Sequence, residues 1–244
     1  MTTSVSVPAA RLRDMLAAVL PHAAGEEDLP ALEAVRFEVR DGTLFLVASD
    51  RYSIGIARCR IPGAQALPVP DVAALLPLCV TKDELPGMLE RAEGTAALIF
   101  GEETLTVDTG NTTATYGVDG HPEHFPDWRS LMSDMLAGEP AELGAGLGID
   151  PEFLGRFAVS FGLDKDLRAI APLTVRFLRP SQRMGVPLHA GEQHPVLLVS
   201  RGDWFLGAMM PLRLDRDRRN EPEDPWAAWV TVTAPGEPAE AVAE

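Results

Sequence analysis

The chain has 244 residues, 46% of them apolar and 23% charged, the balance of a water-soluble globular protein with room for one large or two ordinary domains. No apolar run approaches the roughly 20 residues that cross a bilayer, and the opening MTTSVSVPAARL lacks the basic-then-apolar order of a secretory signal, so no membrane association and a cytoplasmic location are expected. The net charge of −15 argues against a protein that coats nucleic acid, since such affinity comes from Lys and Arg; the two cysteines, Cys59 and Cys79, lack metal-ligand spacing and are expected as reduced core thiols.

Ser4 to Val7 reads as a short strand, and Pro8 suits a first helical position, where its missing N–H costs nothing. Leu12, Met15, Leu16, Val19 and Leu20 then form an apolar helical stripe, with Arg11 and Arg13 off it. Val35, Phe37 and Val39 alternate with Arg36, Glu38 and Arg40, the pattern of a strand with one buried and one wet face. Asp41-Gly42 tolerates the positive φ of a two-residue hairpin turn, and Leu44 and Leu46 resume the alternation. Asp50-Arg51 breaks the chain again before Ile54 and Ile56 mark a third strand ending at Ile61-Pro62.

A second β-α-β-β-β unit is expected from Leu67 to Val69 as strand, Asp71 as N-cap, and Val72, Leu75, Leu76 and Cys79 on one face of a helix disturbed by Pro77. Residues 95–100, 104–109 and 112–118 supply its three strands. After a linker at 125–132, a third unit runs through strand 143–149, Asp150 as N-cap and Pro151 at the first helical position, with Phe153, Leu154, Phe157, Ala158 and Phe161 inward. Leu173, Val175 and Phe177 alternate next, residues 180–194 form an irregular excursion, and 195–199 with 204–210 form a closing hairpin. Phe37, Leu46, Leu75, Phe153, Phe157 and Phe177 are the expected core. The charged, Glu/Ala/Pro-rich stretch after Leu214 reads as a flexible tail, with Trp226 to Thr233 as a strand or anchor within it.

Signatures of catalysis are weak. Gly144, Gly146 and Gly148 lack the last glycine of a phosphate loop, no Walker lysine follows, and no serine occupies a nucleophile elbow. The histidines, including His121 and His124, have no cysteine nearby, and Asp164-Lys165-Asp166 reads as a solvated turn. No enzyme activity, metal or cofactor is expected. A ligand or hydrolytic groove near Gly144 to Asp150 is a third, weaker reading.

Three stretches carry a family resemblance. Leu29-Pro30-Ala31-Leu32 followed by FEVRDGTLFLVASDRY (Phe37 to Tyr52), then Phe125-Pro126-Asp127-Trp128-Arg129 after Gly120, and finally Pro195 to Leu198 with Met210-Pro211-Leu212-Arg213-Leu214, together resemble the bacterial DNA polymerase III beta subunit, the sliding clamp. The resemblance covers residues 3–214 and implies an α+β clamp fold of repeated β-α-β-β-β halves, antiparallel sheets outside and helices inside. It implies a two-repeat domain over 1–122, a linker at 123–140, a half domain over 141–214 and a tail at 215–244. The chain thus matches a middle domain joined to the closing half of a last domain, and an unpaired half invites self-association into a homo-oligomer.

The implied function is that of a DNA polymerase processivity factor that tethers replication proteins to DNA. Its peptide pocket maps onto Leu32, Ser49, Arg51, Tyr52, Ser53, Ile54, Met210, Pro211 and Leu212. Where the family has Thr-Asp-Gly-His-Arg-Leu, this chain has Ser49 to Ile54, SDRYSI, and lacks the pocket arginine. Implied partners are DNA polymerase and other clamp-binding peptides, and double-stranded DNA held by encirclement, with Arg11, Arg13, Arg156, Lys165 and Arg168 toward phosphates. The competing reading is a clamp-fold partner-binding protein that does not encircle DNA.

Overall fold

The central hairpin forms as its turn chemistry dictates. In the computed structural model, strands β2 (Ala34–Arg40) and β3 (Thr43–Ser49) are joined by Asp41 and Gly42 at φ of 50° and 67°, the left-handed pair whose twist matches that of paired strands. The structure describes residues 3–25, 30–63, 78–85, 94–117, 125–140, 151–159, 174–179 and 196–210. Residues 1–212 form one compact unit, and residues 213–244 lie outside the described residues.

Strand β1 (Thr3–Pro8) leads into helix α1 (Ala9–Val19). Pro8 closes the strand and stands at the helix N-cap, one residue before the position expected for it. A 3-10 turn, Leu20–His22, follows. After the central hairpin come β4 (Ser53–Arg60) and β5 (Leu78–Thr81). Next are β6 (Thr95–Phe100), β7 (Thr104–Asp108) and β8 (Thr113–Gly117). Helix α2 (Trp128–Leu136), the two-residue β9 (Glu139–Pro140) and helix α3 (Pro151–Val159) precede the last three strands. These are β10 (Thr174–Arg179), β11 (Val196–Arg201) and β12 (Phe205–Met209).

Among the described residues the strands make two antiparallel sheets, a four-stranded one ordered β1-β6-β7-β8 and an eight-stranded one ordered β5-β2-β3-β4-β12-β11-β10-β9. The first two repeats exchange strands: β1 pairs with β6 of the second repeat, and β5 pairs with β2 of the first. This corrects the reading of Cys79 as a helical residue. Its segment is a strand opposite Arg36, because β2 has an open edge that an apolar Leu78-Cys79-Val80 run can cover. The remainder of the expected second-repeat helix, including Leu75, lies outside the described residues, as do strand 143–149 and the 180–194 excursion.

The closing hairpin β11–β12 is seated against β4, with Ala208 opposite Ile54 and Gly207 opposite Gly55, so strands of the first and third repeats share one sheet. The main core joins both sheets to α1 through Val7, Leu12, Met15, Phe37, Leu44, Leu46, Leu98 and Leu105, with Phe157 of α3 in the same cluster. Phe37, Leu46 and Phe157 are buried as expected, whereas Phe153 and Phe177 are half-buried. Leu154 and Val175, expected inward, are 47% exposed each.

A second correction concerns the face of β2 read as wet. Asp127 caps α2 by accepting the N–H of Ser130 at 3.2 Å, and the helix lies on that face of the sheet. Glu38 accepts hydrogen bonds from Trp128 Nε1 (3.3 Å) and from Arg129 Nε and Nη2 (3.2 and 2.8 Å). Arg129 lies over the rings of Phe45 and Trp128, and Arg36 over Phe125. Phe125, Trp128, Met132 and Met135 bury a second core against Ala34, Val47, Ile54, Ile56 and Leu198. Arg36 and Glu38 of β2 therefore face a helix and share ion pairs with it, while Arg40 at the strand's end stays exposed as expected.

Candidate partner-binding site

Among the described residues, a cluster of polar side chains converges on the loop between β3 and β4. Asp50 Oδ1 accepts the backbone N–H of Tyr52 at 3.0 Å and that of Ser53 at 2.7 Å, and lies 3.1 Å from Ser53 Oγ. Ser49 Oγ donates to the Ser53 carbonyl at 2.9 Å. These bonds close a turn in which Arg51 has φ of 79°, a conformation that costs a residue with a side chain about 1–2 kcal/mol. At a net of about 0.5–1.5 kcal/mol each, these local bonds together offset that cost.

Support comes from α3. Arg156 Nη1 is paired with Asp50 Oδ2 and also donates to Ser53 Oγ at 3.0 Å, while Nη2 reaches Glu152 one helical turn away at 3.3 Å. The guanidinium lies over the Phe153 ring at 4.4 Å, and Phe153 in turn meets the Tyr52 ring at 5.8 Å. Behind the loop His22 is fully buried, its Nδ1 3.1 Å from Ser53 Oγ and its ring 4.8 Å from that of Phe157. Its Nε2 has no hydrogen-bond partner. Burial first, and the Arg156 charge second, lower its pKa to about 4 against an opposing pull from Asp50. The facing glycines Gly55 and Gly207 make room here: a Cβ on Gly55 would stand 2.4 Å from His22 Cδ2, and one on Gly207 2.5 Å from Phe157 Cε1.

Of the residues assigned to peptide binding, Ser49, Ser53, Ile54 and Leu32 are buried, the serines within the loop network and Ile54 and Leu32 in the second core. Arg51 is exposed, Tyr52 is 55% exposed and Met210 39% exposed. Tyr52 and Met210 meet directly, the Met210 N–H donating to the Tyr52 carbonyl at 2.9 Å. Pro211 and Leu212 lie outside the described residues. On the outer face of β4 and β12, next along the strands from Ile54 and Ala208, runs a groove of about 590 Å³ whose lining includes Phe45, Ile56, Trp128, Met132, Trp204 and Leu206.

Among the residues assigned to DNA, Arg11 stacks on Trp204 at 4.3 Å and Arg13 is half-buried on α1. Arg156 has its charge tied to the Asp50 loop, and Lys165 and Arg168 lie outside the described residues. Sequence reasoning missed His22, whose only signal was a polar residue just past an apolar helix, and missed the partnership of Arg156 with Asp50, 106 residues away. Among the described residues no group of three or more His, Cys, Asp or Glu side chains is placed to hold a metal, and no helix is long and apolar enough to cross a membrane.

No protein-family model and no curated protein matches the sequence. Solved structures do match its fold. The DNA polymerase III beta subunit of Thermotoga maritima superposes with a TM-score of 0.53 at 12% identity, over 91% of this chain and 68% of that one. The DNA polymerase sliding clamp of Caulobacter crescentus gives 0.59 at 13% identity, over 87% and 66%. A Pseudomonas aeruginosa sliding clamp bound to griselimycin gives 0.57 at 18% identity, over 87% and 66%. With two antiparallel sheets and few helices, the chain has the fold of the bacterial DNA polymerase III beta subunits, the sliding clamps, over about two thirds of their length.

Proposed function

We propose that this protein is a sliding-clamp-like processivity factor, a cytoplasmic, non-enzymatic tether that holds DNA polymerase and other replication proteins to DNA through short peptides. The observation that carries this reading is the joint between β4 and β12. It sets Met210, at the end of the closing hairpin, against Tyr52 of the first repeat, and so brings together the two stretches to which the family resemblance assigned the peptide pocket. Tyr52, Met210 and Arg51 form its exposed part, with Pro211 and Leu212 next in the chain. Further along the same two strands, toward the β11–β12 turn, the groove lined by Ile56, Trp128 and Leu206 offers apolar side chains a place to be buried, the way clefts of this size hold ligands by a few anchors.

In the proposed organisation residues 1–122 are a two-repeat domain, 123–140 the connection, 141–214 a half domain and 215–244 a tail. Copies associate to complete a ring, and Arg11 and Arg13 of α1, with Lys165 and Arg168, supply the few cations that face duplex DNA. The net charge of −15 is compatible with topological retention, which does not depend on tight phosphate binding. Light scattering at micromolar concentration, paired with retention on nicked circular against linear DNA, tests the proposal. Self-association with retention on the circle alone is expected. A strict monomer indifferent to DNA topology refutes encirclement and leaves a clamp-fold partner-binding protein.

A further inference from the structure

The loop that carries Tyr52 belongs to the first repeat, but the side chain that braces it comes from the third. Asp50 spends one carboxylate oxygen on the turn itself, on the amides of Tyr52 and Ser53, and the other on Arg156 of α3. Arg156 also donates to Ser53 Oγ, so it grips the turn at Asp50 and Ser53 at once. Both partners of the pair are largely withdrawn from water, with side-chain exposures of 18% for Arg156 and 10% for Asp50, and a charge-assisted contact in such a place is stronger and less screened than one at the surface. The same helix holds the Tyr52 ring through Phe153, and the Tyr52 backbone carbonyl is held by Met210.

We propose that Arg156 is the positioning residue of this site: from α3 it fixes the Ser49–Ser53 turn and thereby presents Tyr52 and Met210 together as apolar anchors for a partner peptide. The inference rests on the peptide-binding reading above. It adds a dependence that reading does not contain, namely that the anchors are in place only while the third repeat is docked on the first. Arg156 acts through Asp50 and Ser53, and the peptide touches Tyr52.

Two variants separate this role from general scaffolding. Asp50→Asn keeps the oxygen that closes the turn and removes the charge that Arg156 grips, and Arg156→Met keeps the length of the side chain over Phe153. Amide hydrogen exchange on the unliganded full chain is expected to be about tenfold faster at residues 50–54 in either variant, no faster in the double variant, and unchanged in the β2–β3 hairpin. Arg156→Lys, which retains a cation for Asp50 without the fork that also reaches Ser53, is expected to recover part of the protection. Griselimycin, titrated as the probe ligand, is expected to bind either single variant about tenfold more weakly than wild type. Unchanged exchange at residues 50–54 in Asp50→Asn, or additive effects in the double variant, overturns the proposal, as does unchanged affinity alongside a lowered melting temperature. Should wild type not bind griselimycin while the exchange pattern holds, the loss falls on the peptide-binding reading and the bracing role of Arg156 stands.

Discussion

His22 makes a pH dependence that can be worked through from its surroundings. Its ring lies between Gly55 of β4 and the rings of Phe157 and Phe205, with Ser53 on Nδ1 and with Asp50 and Arg156 as the charges facing it. In the unfolded chain the imidazole takes its proton near pH 6.5, whereas in the fold burial and Arg156 delay protonation to about 4. Between those two values the unfolded state binds more protons than the native one. The stability His22 contributes is therefore complete above pH 6.5 and drains away as the pH falls toward 4. At about 1.4 kcal/mol per pKa unit, the full loss is about 3 kcal/mol. Urea unfolding of wild type and His22→Gln at steps from pH 7.5 to pH 4.5 measures it, because the carboxylates common to both proteins cancel in the difference. The stability advantage of wild type should shrink by about 2.5 kcal/mol across the window, which stops short of the full loss. Parallel curves would refute the reasoning and show that the ring is either hydrated or already charged in the native state.

Three substitutions probe the packing around the same joint. Phe157→Ala removes a fully buried ring that touches His22 and Phe205, and should cost about 3–5 kcal/mol in thermal or denaturant unfolding. An unchanged melting temperature would show that α3 is not seated there. Gly55→Ala drives a methyl into the His22 ring and should cost about 1–3 kcal/mol, partly recovered in the double variant with His22→Ala, which vacates the space. Glu38→Ala strips α2 of the acceptor shared by Trp128 and Arg129 and leaves Arg36 and Arg129 without it; about 2 kcal/mol is expected, together with an altered Trp fluorescence.

The parts of the fold legible in the sequence are those fixed by neighbours. The Asp41-Gly42 turn, the alternation on β2 and β3, the strand runs of β6, β7, β11 and β12, and the start of α3 at Pro151 all follow from a few adjacent residues. What the pattern could not reveal depends on distant pairing. Whether Leu78-Cys79-Val80 becomes helix or strand is decided by the free edge of β2, more than 40 residues earlier, as such short apolar runs fit either. Arg36 and Glu38 read as solvent-facing because alternation shows only that two faces differ, and a helix bearing Trp128 and Arg129 supplies ion-pair partners to the polar one. At the candidate site, Tyr52 and Met210 were legible through resemblance to a family motif. His22, Gly55 and Gly207 were not, since a glycine pair opposed across two strands has no signature until the register of β4 against β12 is known.

The central claim is that this chain takes clamp-binding peptides at the joint of its first and third repeats. Calorimetric titration of griselimycin, the ligand carried by a Pseudomonas aeruginosa clamp of the same fold, tests it most directly. Saturable binding to wild type is predicted, weakened about tenfold or more by Tyr52→Ala and by Met210→Ala and unaffected by Arg13→Ala on α1. No saturable binding, or equal affinity for wild type and Tyr52→Ala, would contradict it.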